Sequence, residues 1–335
     1  MTTYDEALER LHRTGPEFEG WLSNHGPMVV EAMGRRGAGE QVHRWTDAYV
    51  RRLEEPPGAT GPIEDWRAAL GDDHRLGDWL AHFDRVVREQ PWELTLGTWW
   101  PRLLPGIAAG ATHGVIRTGH AVAALREEVT VPRLTELGQA LGYWAARWQP
   151  APGAAPAGSV TAADAVDRVP RVPDQTGGIG ARLAQLASTD DWPDGATVLR
   201  GAATDDDVPG FLTGVVAAVV DAYPRIAVGQ PTMLVHAATA PNAVRRALPS
   251  LPRHLWRPSA DAAWTATAAV LAAYAPAPRD RTAPRTDATD APWRLALHHG
   301  GEHVLKLADT ALDVADVVGD ESVAQAVAVA VLLDA

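Results

Sequence analysis

Apolar positions recur along this chain at the spacing of an α-helix. In "GEQVHRWTDAYVRRLEE", Val42, Trp45, Tyr49, Val50 and Leu53 follow one another at steps of three, four, one and three, the period that gathers side chains on one helical face. In "RLGDWLAHFDRVVREQ", Leu76, Trp79, Leu80, Phe83, Val86 and Val87 do the same. A further helix is predicted over "TVPRLTELGQALGYWAARW", with Thr130 as its cap and Pro132 in its first turn. Its Leu134, Leu137, Leu141, Trp144 and Trp148 face one way. Runs that alternate apolar with polar residues and favour β-branched types are scarce, so the pattern predicts an all-α fold.

Two stretches interrupt the pattern. Residues 149–159, "QPAPGAAPAGS", and 275–292, "APAPRDRTAPRTDATDAP", are dense in proline and small residues and are predicted to be loops. The first offers a soft division, but one multi-helix bundle can carry such a loop as a crossover, and residues 1–335 are read as a single composite domain. Hydrophobic residues at 46% and charged ones at 21% are ordinary globular proportions. The formal charge of -12 is spread out, with no basic block to track phosphates, which argues against a nucleic-acid partner. No window reaches the roughly 18 apolar residues of a membrane span; "FLTGVVAAVV" ends at Asp221 and Pro224. The start, "MTTYDEALER", lacks a secretory pattern, and a cytoplasmic location is expected.

The absence of cysteine excludes disulfides, thiolate nucleophiles and sulfur-bound metals. Any metal must then rest on His, Asp, Glu or a rarer ligand. Of the 12 histidines, His12, His43, His74, His82 and His254 stand among polar residues and are expected on solvated helix faces. His25, His113, His120, His236, His298, His299 and His303 lie in apolar or glycine-rich settings. Each alone reads most simply as a core histidine with one hydrogen bond; several converging in a helical core make a nitrogen-rich metal site. His113, His236 and His303 are each expected to begin a helical segment.

Lys306 is the only lysine; 30 basic residues less this one leaves 29 arginines. Arginine stays charged in a protein, whereas a desolvated lysine can lose its proton and act as a nucleophile or capture carbon dioxide. Chance in a skewed composition would also leave one lysine. Its place three residues after His303 puts both on one helix face. Trp99 and Trp100 precede the His113 segment, and with Trp144 and Trp148 they could wall a pocket for a planar substrate; Met28 is a further pocket position. No nucleotide-cofactor fingerprint stands out, since "GGIGARLAQL" follows a loop instead of a strand.

The blocks "SNHGPM", "LLPGIAAGATHGVIRTGHAV", "TMLVHAATAP" and "GGEHVLKLAD" together resemble the questin oxidase-like family, in that family's order across most of the chain. That family is mostly helical and includes fungal enzymes that oxidatively open anthraquinone rings. Some members look like non-haem iron dioxygenases with four histidines and a carboxylated lysine on the metal. The resemblance implies ligands at His25, His113, His236, His303 and Lys306. It also implies catalytic positions at Arg117 and His120, where the fungal pattern instead has His and Tyr.

The function implied is a non-haem Fe(II) oxygenase, either a dioxygenase or a Baeyer-Villiger-like monooxygenase, acting on an aromatic polyketide such as an anthraquinone. Dioxygen would be the co-substrate, with a need for NADPH left open. Four imidazoles and one lysine carbamate on Fe(II) carry a formal charge of +1. Two rivals remain: a metal-dependent hydrolase with a carboxylated lysine, and a non-catalytic helical protein that binds an aromatic ligand or haem.

Overall fold

Thr2 starts the first helix with a capping box: its hydroxyl accepts from the Asp5 amide while the Asp5 carboxylate accepts from the Thr2 amide. This and the arrangement below are taken from a computed structural model, which describes residues 2–286 and 291–335. Helices make almost all of the regular structure, and the sheet among the described residues is one two-stranded hairpin. The fold is all-α. The chain divides into two compact units, Met1–Pro150 with Arg246–Pro252, and Ala151–Arg245 with Arg253–Ala335.

The first unit holds α1 (Thr3–Leu11), the hairpin β1 (Glu17–Phe18) and β2 (Leu22–Ser23), then α2 (Gly26–Arg35), α3 (Gly39–Tyr49), α4 (Trp66–Ala69), α5 (Leu76–Glu89), α6 (Trp92–Leu103), α7 (His113–Glu127) and α8 (Val131–Ala146). Helix α5 buries Leu76, Trp79, Leu80, Phe83 and Val87, the face its period predicts, though Val86 stays partly exposed. On α3 the buried positions are Val42, Thr46 and Tyr49, with Trp45 and Val50 only partly covered. Thr130 caps α8 by accepting from the Arg133 amide at 3.4 Å. The helix ends at Ala146, so Trp148 lies beyond it and does not continue the Trp144 stripe as expected.

Helices α5 and α8 approach closely because α8 presents Gly138 and Gly142 to its neighbour. A methyl on Gly142 would come within 3.2 Å of backbone atoms of Trp79 and Leu80. Helix α7 packs against α8 on one side and α2 on another, and α2 rests on α1 and α3. The three candidate residues of α7 are thereby enclosed.

The second unit holds α9 (Ala162–Arg168), α10 (Ile179–Ala184), α11 (Trp192–Thr197), α12 (Val208–Ile226), α13 (Pro231–Ala247, its last two residues counted with the first unit), α14 (Trp256–Tyr274), α15 (Pro292–His299), α16 (Glu302–Leu312), α17 (Ala315–Val318) and α18 (Asp320–Leu332). Alanine and valine dominate these helices. Alanine loses no rotamer freedom on burial and lets axes approach, so α14 is buried on nearly every side from Ala263 to Tyr274. Helix α12 packs on α9, α14 and α18, and α16 packs on α15 and α18. Pro224 falls in the last turn of α12 without ending it. Among the described residues no helix is long and apolar enough to cross a membrane. Residues 150–158 lack regular structure, and 275–286 hold only the short turn Pro278–Asp280; positions 287–290 of that expected loop lie outside the described residues.

Two expected surface histidines are placed differently. His12 sits 2.8 Å from the buried Glu136 carboxylate, which draws it inward. His82 is enclosed edge-on by Trp79, Phe83 and Trp99. Burial, with the charges of Arg85 and Arg102, holds its imidazole below the usual value. A mixed sequence neighbourhood did not decide the exposure of either.

Candidate metal centre

In the first unit, two helix starts bring a histidine pair together. His25 is the cap residue of α2, and Pro27 presets the backbone of the first turn. Gly26 is required by packing, since a methyl there would lie 2.4 Å from the Leu11 side chain. The His25 amide donates to the Tyr49 hydroxyl at 2.7 Å. His113 opens α7 after three successive residues with positive φ, Gly110 at 51°, Ala111 at 56° and Thr112 at 70°. Left-handed backbone costs a residue with a Cβ about 1–2 kcal/mol. The bend it creates brings the Gly110 carbonyl to 2.5 Å from His113 Nδ1.

That contact sets the chemistry of the ring. A carbonyl accepts only, so His113 carries its proton on Nδ1 and turns a bare lone pair outward at Nε2. His25 Nε2 lies 2.8 Å from it, with the rings 82° apart. Two imidazole nitrogens each about 2.1 Å from one cation, at a right angle, would be about 3 Å apart. The pair has the spacing of two adjacent ligands.

The second unit repeats the arrangement. His236 does not begin a helix, as was expected, but sits in the sixth position of α13, where Leu234, Val235, Ala237 and Ala238 are buried around it. Its Nδ1 donates to the Met233 carbonyl at 3.1 Å, which again leaves Nε2 as the lone-pair nitrogen. His303 stands at the start of α16 and meets His236 edge-to-face, centroids 5.3 Å apart at 89°. Lys306 follows one turn later with 1% exposure. Burial pushes its ammonium down to about 7, against a smaller opposing pull from Glu302. His25, His113 and His236 are buried and His303 is partly buried; these histidines, and separately Glu31, His120 and Asp309, are groups that could hold a metal ion.

The two expected catalytic residues lie further along α7. Arg117 is 1% exposed, and its Nε and Nη2 donate to both oxygens of Glu136 at 2.6 and 2.8 Å, with His12 on the same carboxylate. The fork is thus held within a balanced ion pair. Burial raises the Glu136 carboxyl, yet Arg117 and His12 outweigh it and hold the group below its ordinary value. His120 Nδ1 is 2.6 Å from Glu31, and Arg246 Nη1 lies 3.3 Å from both ring nitrogens. Burial likewise raises Glu31, and His120, Arg246 and Arg35 together bring it below normal.

Glu31, Glu136, Arg246 and Asp309 were not singled out from the sequence. A signal exists for the first: in "GPMVVEAMG" it is the one acid of a run whose neighbours Val29, Val30, Ala32 and Met33 are all buried. Met28 is fully buried, Trp99 packs against Trp66, Trp79 and Phe83, and Trp100 meets Trp144 edge-on at 5.4 Å. A cleft of about 480 Å³ in the first unit is lined by residues that include Thr60, Ile63, Asp78, His82 and Arg85. His298 is exposed, while His299 pairs with Asp334 at 3.1 Å. No protein-family model matches the chain, and no curated protein matches it.

Proposed function

We propose that the chain is a non-haem Fe(II) oxygenase of the questin oxidase-like type. In this reading one iron is held by His25, His113, His236, His303 and a carboxylated Lys306, and the substrate is a small aromatic ring compound. The observation that carries it is that His113 and His236 are both fixed by a backbone carbonyl on Nδ1, each beside a second imidazole. Ligating histidines are oriented in this way by the partner of their other nitrogen. Imidazole donors with no thiolate suit iron, and a carbamate oxygen would take the part a carboxylate plays in other histidine-rich iron sites.

Lysine carboxylation joins the amine nitrogen to carbon dioxide and releases one proton. It needs the neutral amine, and burial lowers Lys306 enough to supply that form near neutral pH. Iron, when bound, would supply the activation of dioxygen. The chain's own groups hold the tautomers of His113 and His236, exclude water from the buried His25–His113 pair, and orient His120 through Glu31 at Nδ1 and Arg246 beside its ring.

The test is metal analysis of the chain loaded with Fe(II) and bicarbonate, together with oxygen uptake on a panel of hydroxyanthraquinones. One iron per chain is expected, lost in Lys306→Arg while the helical spectrum persists, with turnover only in the presence of dioxygen. Full iron content in Lys306→Arg, or product formed without dioxygen, would end this reading.

A further inference from the structure

Away from the histidines, the second unit gathers three arginines around one carboxylate. Asp167, in the last turn of α9, accepts from Arg225 Nη1 at 2.5 Å and from Arg281 Nη1. Arg171, just past the same helix, donates from Nε to the Pro276 carbonyl at 3.3 Å and from Nη1 to the Val169 carbonyl. Arg281 Nε reaches that same Pro276 oxygen at 3.4 Å, so the two guanidinium groups crowd one acceptor. Burial and the neighbouring charge of Arg281 hold Arg171 down to about 9.

Two features are left unbalanced. Three guanidinium groups against one carboxylate sum to a formal charge of +2. The Nη2 atoms of Arg171 and Arg281 are buried and have no hydrogen-bond partner among the described residues, and the Arg281 side chain is only 6% exposed. Buried charged donors without acceptors are costly, and a bound ion is one of the ways such groups are satisfied. Among the described residues, what these forks lack is acceptor oxygens and negative charge to balance the three guanidinium groups. A carboxylate supplies one charge; a phosphate dianion supplies two and accepts from several forks at once.

We propose that Arg171, Arg225 and Arg281 form a binding site for a phosphate group. Asp167 is 48% exposed, so its carboxylate is the member that can turn to solvent and exchange its place for the incoming anion. The site is independent of the iron reading, because none of its residues is among the histidines or Lys306.

Calorimetric titration of the full chain tests it, with inorganic phosphate, phenyl phosphate and acetate as probes at constant ionic strength. One saturable phosphate site per chain is expected, weakened at least tenfold in Arg171→Gln and in Arg281→Gln. Preference for phenyl phosphate assigns the site to monoesters and preference for inorganic phosphate assigns it to the free ion; either supports the proposal. Acetate binding as tightly as phosphate, or no saturable binding, overturns it. Should the arginine variants fail to fold, Asp167→Asn decides: removing the competing carboxylate should tighten phosphate binding several-fold, and unchanged or weaker binding refutes the site.

Discussion

Gly110→Ala tests the link between backbone shape and metal affinity. Gly110 has φ 51°, and an added methyl would lie 2.1 Å from the Tyr143 hydroxyl and 2.8 Å from its ring. Tyr143 is 1% exposed and cannot swing into solvent. The left-handed backbone adds about 1–2 kcal/mol and overpacking a further 1–3 kcal/mol, so a loss of about 2–5 kcal/mol in urea unfolding is expected. The same shift must move the Gly110 carbonyl, whose contact with His113 Nδ1 sets the tautomer of that ring. Metal affinity, measured by competition with a chelator, should fall about 10- to 100-fold. Phe83→Leu, a core change remote in sequence from His113, should cost about 1–2 kcal/mol and leave metal content at one per chain. A Gly110→Ala chain that binds metal as tightly as the parent would refute the role given to this carbonyl.

In the metal-free chain, Lys306→Met should raise stability. The folded lysine sits near 7 against an ordinary 10.5, so the unfolded state binds more protons between those values and stability climbs with pH across that window. The variant should lose this climb, worth at most about 5 kcal/mol, in urea midpoints recorded from pH 7 to 10. Arg117→Leu strands the buried Glu136 and should cost about 3–5 kcal/mol, whereas Arg117→Leu with Glu136→Leu should recover most of it by the same measurement. Asp78 is pushed up by burial, but the Gly61 and Thr60 amides and Arg75 outweigh this and hold it at about 2. Its contribution is therefore present above pH 4 and lost as pH falls toward 2, and Asp78→Asn should flatten the acid limb of thermal unfolding in that range.

The helices were legible where apolar period and punctuation agreed. Thr130 and Pro132 marked the start of α8, and the stripe from Leu76 to Val87 marked the buried face of α5. His12 and His82 were misplaced because polar neighbours in sequence say nothing about a carboxylate 124 residues away or about a ring contributed by another helix. His236 was misplaced because a histidine inside an alanine-rich helix carries no boundary signal. Glu136 reads as a surface residue on an amphipathic helix until Arg117 and His12 are seen to enclose it.

By itself the sequence determined the helical class, the exclusion of sulfur chemistry, and the small set of histidines with apolar surroundings around a single lysine. These follow from composition and from neighbours three or four residues apart, which share a helix turn and act whatever the rest of the chain does. Only the tertiary structure decided that His25 faces His113 across 88 residues, that His236 meets His303, and that buried carboxylates claim Arg117 and His120. Such pairings depend on which helices pack together and how closely. That is set by the summed burial and shape of whole faces, and no local spacing encodes it.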